Sequence, residues 1–234
     1  VLGVDAAGRH GWVGVAIDDG GLVGVHLALG LGDLIAEADA AALDAGAGPL
    51  AVVGVDIPIG LVDGPRRSAD VAARSFVGVR RSSVFPAPPR SALGFATQAE
   101  ANAHLAQRGL PLLSAQAVAL FARIREAEAV ARTDGRLREV FPEASFRQLA
   151  GAALPEPKKA AAGALRRLEL LAAASPSIVL PADLGPAGAV PLDDVFDAAA
   201  VAWSALRCAH GRAVALGHPD EVDPRSGRRI AVWV

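Results

Sequence analysis

The sequence contains a single cysteine, Cys208, and no methionine in 234 residues. One thiol excludes a disulfide framework and a cysteine-rich zinc site. The five histidines, His10, His26, His104, His210 and His218, stand at no zinc-ligand spacing. The lack of methionine means that the initiator residue was processed or lies outside this numbering. No apolar run approaches the roughly 20 residues of a membrane-spanning helix, and the first residues enter a strand without the basic segment that opens a secretory signal. A soluble, unexported protein is therefore expected, with no membrane partner and a cytoplasmic location compatible with the lone thiol. Three motifs are also missing. No Gly-x-x-x-x-Gly-Lys-Ser/Thr loop, no Gly-x-Gly-x-x-Gly after a strand and no Gly-x-Ser-x-Gly elbow occurs, which removes support for phosphate-loop ATPases, dinucleotide enzymes and serine hydrolases.

With 52% hydrophobic and 21% charged residues, the chain can bury the core of one large domain, 1–234, or of a domain with a helical insertion. The net charge of −2 and pI near 6.2 argue against a basic coat for non-specific nucleic-acid binding. Charge is uneven, however: between Gly64 and Arg90 lie Arg66, Arg67, Arg74, Arg80, Arg81 and Arg90 against Asp70 alone.

Two apolar runs end in the same tripeptide, Val1-Leu2-Gly3-Val4-Asp5 and Ala51-Val52-Val53-Gly54-Val55-Asp56. Each reads as a buried strand that delivers one carboxylate to a sheet edge. After the first, Gly11–Ile17 and Gly21–Leu29 flank Asp18-Asp19-Gly20, a strong hairpin signal. A helix opening near Gly32-Asp33, with Leu34, Ile35, Ala38, Ala42 and Leu43 on one face, leads into the Asp56 strand. Strand, strand, strand, helix, strand is the order of a ribonuclease H-like mixed β-sheet flanked by helices. Further helices are expected over Ser68–Phe76, Thr97–Gln107 and Ser114–Arg132, forming a mainly helical insertion at about 62–136. The prolines of Ser82–Arg90 make that segment a loop. Leu137–Phe141 reads as a strand, Lys158–Ala174 as a helix with Leu165, Leu168 and Leu171 inward, Leu192–His210 as a helix, and Arg212–Leu216 and Arg229–Val234 as short strands.

Acids recur at the ends of these elements: Asp5, Asp56, Glu143, and Asp194 with Asp197, which three-residue spacing puts on one helix face. Asp193 is the expected N-cap of that helix. Ionised aspartates at the ends of hydrophobic strands are costly unless paired. Converging carboxylates bind Mg²⁺ or Mn²⁺, and such ions support phosphodiester cleavage. Arg74, Arg80 and Arg81 are candidates to grip phosphates, because a guanidinium holds two oxygens at once. Ser83 and Gln116 are candidate substrate contacts, and Lys158 a candidate to steer an anionic substrate.

These blocks resemble domain-of-unknown-function family 429. The resemblance rests on Gly3-Val4-Asp5 with Gly11-Trp12, Asp56-Ile57-Pro58-Ile59-Gly60-Leu61, Ala73-Arg74, Ser83-Val84-Phe85-Pro86-Ala87-Pro88, Ser114-Ala115-Gln116, Glu139-Val140-Phe141-Pro142-Glu143, Lys158-Lys159 and Asp193-Asp194-Val195-Phe196-Asp197-Ala198. It implies nucleases of the ribonuclease H-like fold. The sequence departs from the family where an Asp commonly precedes Ala-Arg and a His precedes Pro-Glu. Val71 or Ala72 and Phe141 stand there instead, which removes two polar helpers.

The resulting expectation is a metal-dependent nuclease. Asp5, Asp56 and Asp194 or Asp197 hold Mg²⁺ or Mn²⁺, Glu143 is a candidate fourth acid, and Arg74, Arg80, Ser83 and Lys158 meet a nucleic acid or small phosphodiester. Two alternatives stand beside it: an ATP-dependent phosphotransferase of actin-like fold, and a non-catalytic ligand- or protein-binding module that keeps the acidic cleft.

Overall fold

A computed structural model describes residues 1–234. Strand β1 (Leu2–Ala6) pairs antiparallel with β2 (Trp12–Asp18), which pairs antiparallel with β3 (Gly21–Ala28). The turn between β2 and β3 is held by the Asp18 carboxylate, which accepts from the Gly20 amide at 2.8 Å. Helix α1 (Leu31–Asp44) crosses over to β4 (Val53–Val55), which lies parallel to β1, and β5 (Leu137–Glu139) lies parallel to β4. The resulting mixed sheet has the order β3-β2-β1-β4-β5, consistent with a ribonuclease H-like sheet.

Everything regular between β4 and β5 is helical: α2 (Ser68–Val77), α3 (Gln98–Gln107), α4 (Ala115–Ala119) and α5 (Phe121–Thr133), with short 3₁₀ turns at Gly78–Ser83 and Arg90–Gly94. A Thr97–Glu100 capping box starts α3, leaving few amides at its first turn unpaired. After β5 come α6 (Pro142–Ala150), α7 (Ala161–Ala172) and α8 (Leu192–Ala209), then a separate antiparallel pair, β6 (Ala215–Leu216) with β7 (Val232–Trp233). No helix is long and apolar enough to cross a membrane.

Alternation along the strands sorts residues between the two faces of the sheet. Leu2, Val4, Val53, Val55 and Leu137 join one core with α1, α3 and α5, and this core includes the buried Trp12. Val13, Val15 and Ile17 join another with α6, α7 and α8. A third, smaller core joins α2 to Ile230, Val232 and Val234.

Several sequence expectations change, among them Leu43, which is exposed rather than on the inner face of α1, and the last two strands, which shrink to Ala215–Leu216 and Val232–Trp233. The helix expected over Ser114–Arg132 is two helices meeting at Leu120. The strand expected to run to Phe141 ends at Glu139, although Val140 still bridges to Trp233. Helix α7 begins at Ala161, so Lys158 sits in the preceding loop, and Leu165 and Leu168 are 60% and 39% exposed. The cause is Arg167, which turns inward to pair with Glu143 at 2.8 Å and sets a different inner face, shared with Leu170 and Leu171.

Candidate functional site

The two Gly-Val-Asp strand ends lie side by side. Gly3 is in register with Gly54 and Val4 with Val55, so the parallel ladder brings Asp5 next to Asp56, whose amide donates to the Val4 carbonyl at 2.9 Å. Because residues two apart share a face, each aspartate lies on the same side as its glycine. That side carries α8. A methyl group at Gly3 would lie 2.0 Å from the Ala202 nitrogen and 2.2 Å from the Ala198 oxygen, and one at Gly54 would lie 2.9 Å from the Val201 side chain. The glycines thus let α8 rest directly on the strand backbones. Moving from glycine to aspartate along β1 corresponds to moving from Ala198 toward Asp197 and Asp194 along α8. The positive end of the helix dipole therefore faces the strand-end acids.

Asp5 and Asp197 are buried, at 8% and 3% exposure, while Asp56 and Asp194 keep partial access to solvent. Burial pushes the carboxyl of Asp5 well above the ordinary carboxylate value, reinforced by Asp56, Asp197 and Asp194. Burial does the same at Asp56, reinforced by Asp197. Asp197 is raised to about 6 by burial, with Lys158 opposing the rise. Asp194 is raised by burial and then by Asp193. The Lys158 ammonium is 2.5 Å from Asp197 and 3.7 Å from Asp193. Its own pKa is raised, because Asp197 and the other acids outweigh the burial that acts to lower it.

A cleft of about 430 Å³ opens on this cluster, lined by Asp56, Glu143, Lys158 and Asp197 together with Arg80 and Ser83. Glu143 stands in the first turn of α6 and is held by Arg167 at 2.8 Å, with Arg80 4.0 Å away. Arg80 donates from Nη2 to the Glu156 carbonyl at 3.1 Å, whereas its buried Nε has no partner. Arg74 does not line the cleft; it donates at 2.6 Å to the Val84 carbonyl and anchors the proline-rich loop that does. Asp193 is not the N-cap: that position is Pro191, and Asp193 and Asp194 both fall in the first turn of α8. Pro191 has no side-chain acceptor, so no side chain caps the first-turn amides of α8.

The cleft also contains residues that the sequence did not single out. Glu139, at the end of β5, is buried and accepts from both Arg67 Nη atoms at 2.8 Å and from the Ile59 amide at 2.8 Å. Asp70 Oδ1 accepts from Arg67 Nη2 at 2.5 Å, and its other oxygen accepts from the Ala87 amide. This buried pairing fixes the cleft floor. The available signal was Glu139 itself, two residues from Leu137 and thus on the same buried face of its strand, where a carboxylate requires a cation.

The donors suit a hard divalent cation in kind. They are carboxylate oxygens under mutual repulsion, and Asp56 receives no hydrogen bond from the protein. They are not assembled as a closed shell, since no three acidic, histidine or cysteine side chains group as ligands of one ion. Mg²⁺ commonly takes one or two carboxylates and completes its shell with water and substrate oxygens; of the two strand-end acids Asp56 lines the cleft, whereas Asp5 does not and accepts from the Ala6 amide at 2.7 Å.

No curated protein and no solved structure matches the chain. A family model described as Protein of unknown function (DUF429) matches residues 3–222, a span that carries every acid of the cluster, and the chain belongs to that family.

Proposed function

We propose that the chain hydrolyses phosphodiester bonds in a metal-dependent reaction at the carboxylate cluster, with a nucleic acid or a small phosphodiester as substrate. The observation that carries this reading is the juxtaposition of Asp5, Asp56 and Asp197 on one sheet face, beside a cleft whose walls also carry Arg80 and Lys158. Asp5 and Asp56 hold the Mg²⁺ or Mn²⁺, with Asp197 or Asp194 as the further acid. When bound, the ion supplies Lewis acidity, activating water and offsetting charge on the phosphate. Arg80, which lines the cleft, offers its guanidinium to a phosphate oxygen, and Lys158 adds a second positive charge at the same mouth. Ser83 contributes a hydroxyl to the cleft, and Arg74 acts at one remove by fixing the loop that carries it. Glu143 is clamped by Arg167 at 2.8 Å and stands 4.0 Å from Arg80, and in this reading it orients Arg80.

Mn²⁺ titration calorimetry on the wild type, Asp5→Asn and Asp56→Asn tests this, paired with hydrolysis of bis(p-nitrophenyl) phosphate and a labelled oligonucleotide. Saturable Mn²⁺ binding that weakens at least about tenfold in either variant, or ~1.4 kcal/mol, is expected, with hydrolysis lost in parallel. Binding that ignores both substitutions would sink the proposal.

A second reading has its own support. Lys158 already neutralises Asp197 from within the protein, as a non-catalytic binding cleft would require. Mn²⁺ binding without turnover of either substrate would favour it.

A further inference from the structure

Beyond Glu139, which lines both, lies a second cavity of about 840 Å³. Some of its charge is internally matched: Arg90 pairs with Glu128 at 2.7 Å and with Asp223, and Glu139 pairs with Arg67. The remaining arginines are not. Arg132 from α5, Arg138 from β5, and Arg225, Arg228 and Arg229 from the segment before β7 all line the cavity, and none forms an ion pair with a carboxylate of the chain. Two of them are positioned by neutral groups. Arg228 donates to the carbonyls of Ala131 at 2.7 Å, Asp134 at 3.2 Å and Leu137 at 2.6 Å. Arg138 donates to those of Gly135 and Leu137, each at 2.8 Å. Carbonyls orient a guanidinium without discharging it, so repulsion across the cavity remains. Burial and then Arg138 lower the pKa of Arg228, and the nearby Asp134 opposes the fall without reversing it. The half-buried Trp233 also lines the cavity, whose volume falls in the range of small-ligand sites.

We infer that this cavity binds a ligand with two or more linked phosphates, either an inorganic polyphosphate or a nucleoside polyphosphate. Arginines drawn from two distant stretches of the chain, 132–138 and 225–229, converge there, and their planar forks match phosphate oxygens in pairs. Trp233 offers a flat face to the base of the nucleoside form. The inference does not depend on hydrolysis at the acidic cleft, so its test is run in EDTA.

Calorimetry with sodium tripolyphosphate and with ATP, at about 0.1 M salt to screen distant charges, compares the wild type with Arg132→Glu/Arg229→Glu, both exposed residues. Saturable binding that falls more than tenfold in the double variant is expected, with little change in Arg108→Glu, an exposed arginine outside the cavity. Should the double variant fail to fold, Arg225→Glu, also exposed, replaces it. Equal affinity for the two ligands assigns the inorganic source. Tighter ATP binding, with fluorescence quenching that disappears in Trp233→Phe, assigns the nucleoside source. The inference is overturned if neither ligand binds, if Arg108→Glu weakens binding as much as the double variant, or if Arg80→Ala weakens it more, which would place the phosphates in the acidic cleft.

Discussion

Lys158 places its ammonium where the acids most need a positive charge, 2.5 Å from Asp197 and in the field of Asp5. An incoming divalent cation must share that field or displace it. Lys158→Ala is therefore expected to tighten Mn²⁺ binding about tenfold, or ~1.4 kcal/mol, as read by calorimetry, while weakening the hold on a phosphate. Unchanged Mn²⁺ affinity would show that the ammonium lies outside the ion's reach. Asp5 and Asp56 were legible in the sequence because a carboxylate that closes an apolar strand stands out, and Asp197 only as one of a pair with Asp194 on a helix face. Arg67 and Arg167 were not, since each owes its burial to a partner brought close only by folding, Glu139 and Glu143. Arg74 was legible as a residue but not as a role: whether a guanidinium meets substrate or a loop carbonyl depends on where the proline-rich segment lands.

Among the elements, β1, β4 and α8 form the unit that assembles the cluster. Gly3→Ala would drive a methyl group into the backbone of α8 at Ala202, which no side-chain rotation relieves. A loss of about 1–3 kcal/mol or more is expected from such overpacking, measured by denaturant unfolding, with Mn²⁺ affinity falling as Asp197 is lifted from Asp5. Full stability in Gly3→Ala would mean that the helix does not rest on the strand as described. The repeated tripeptide was visible in the sequence, yet only its aspartates invited interpretation; the glycines gain meaning once a helix lies across them. Strand order and the helical stretch between β4 and β5 followed from turn chemistry and apolar spacing. The inner face of α7 did not, because an arginine paired in the interior breaks the rule that leucines mark the core.

For the molecule as a whole, the acids make stability depend on pH. Carboxyls whose pKa is raised on folding keep protons that the unfolded chain releases above its ordinary value near 3.8, so the folded state loses ground as pH rises from there through the folded pKa, which for Asp197 is about 6. For Asp197 alone the move from 3.8 to about 6 corresponds to ~3 kcal/mol. His26, whose pKa is lowered by burial, acts in the opposite direction, so the test compares variants. In EDTA, Asp56→Asn is expected to raise the thermal midpoint relative to wild type, and by more at pH 8 than at pH 5, with each kcal/mol giving about 2–4 °C at this chain length. An equal effect at both values would show that Asp56 ionises normally. One consequence follows from α8, in which every residue from Val195 to Leu206 is buried. Its amides open to deuterium only when the whole molecule opens, and the helix that carries Asp197 cannot fray away by itself. The acidic cluster is then as durable as the fold, so loss of Mn²⁺ on heating should coincide with global unfolding rather than precede it.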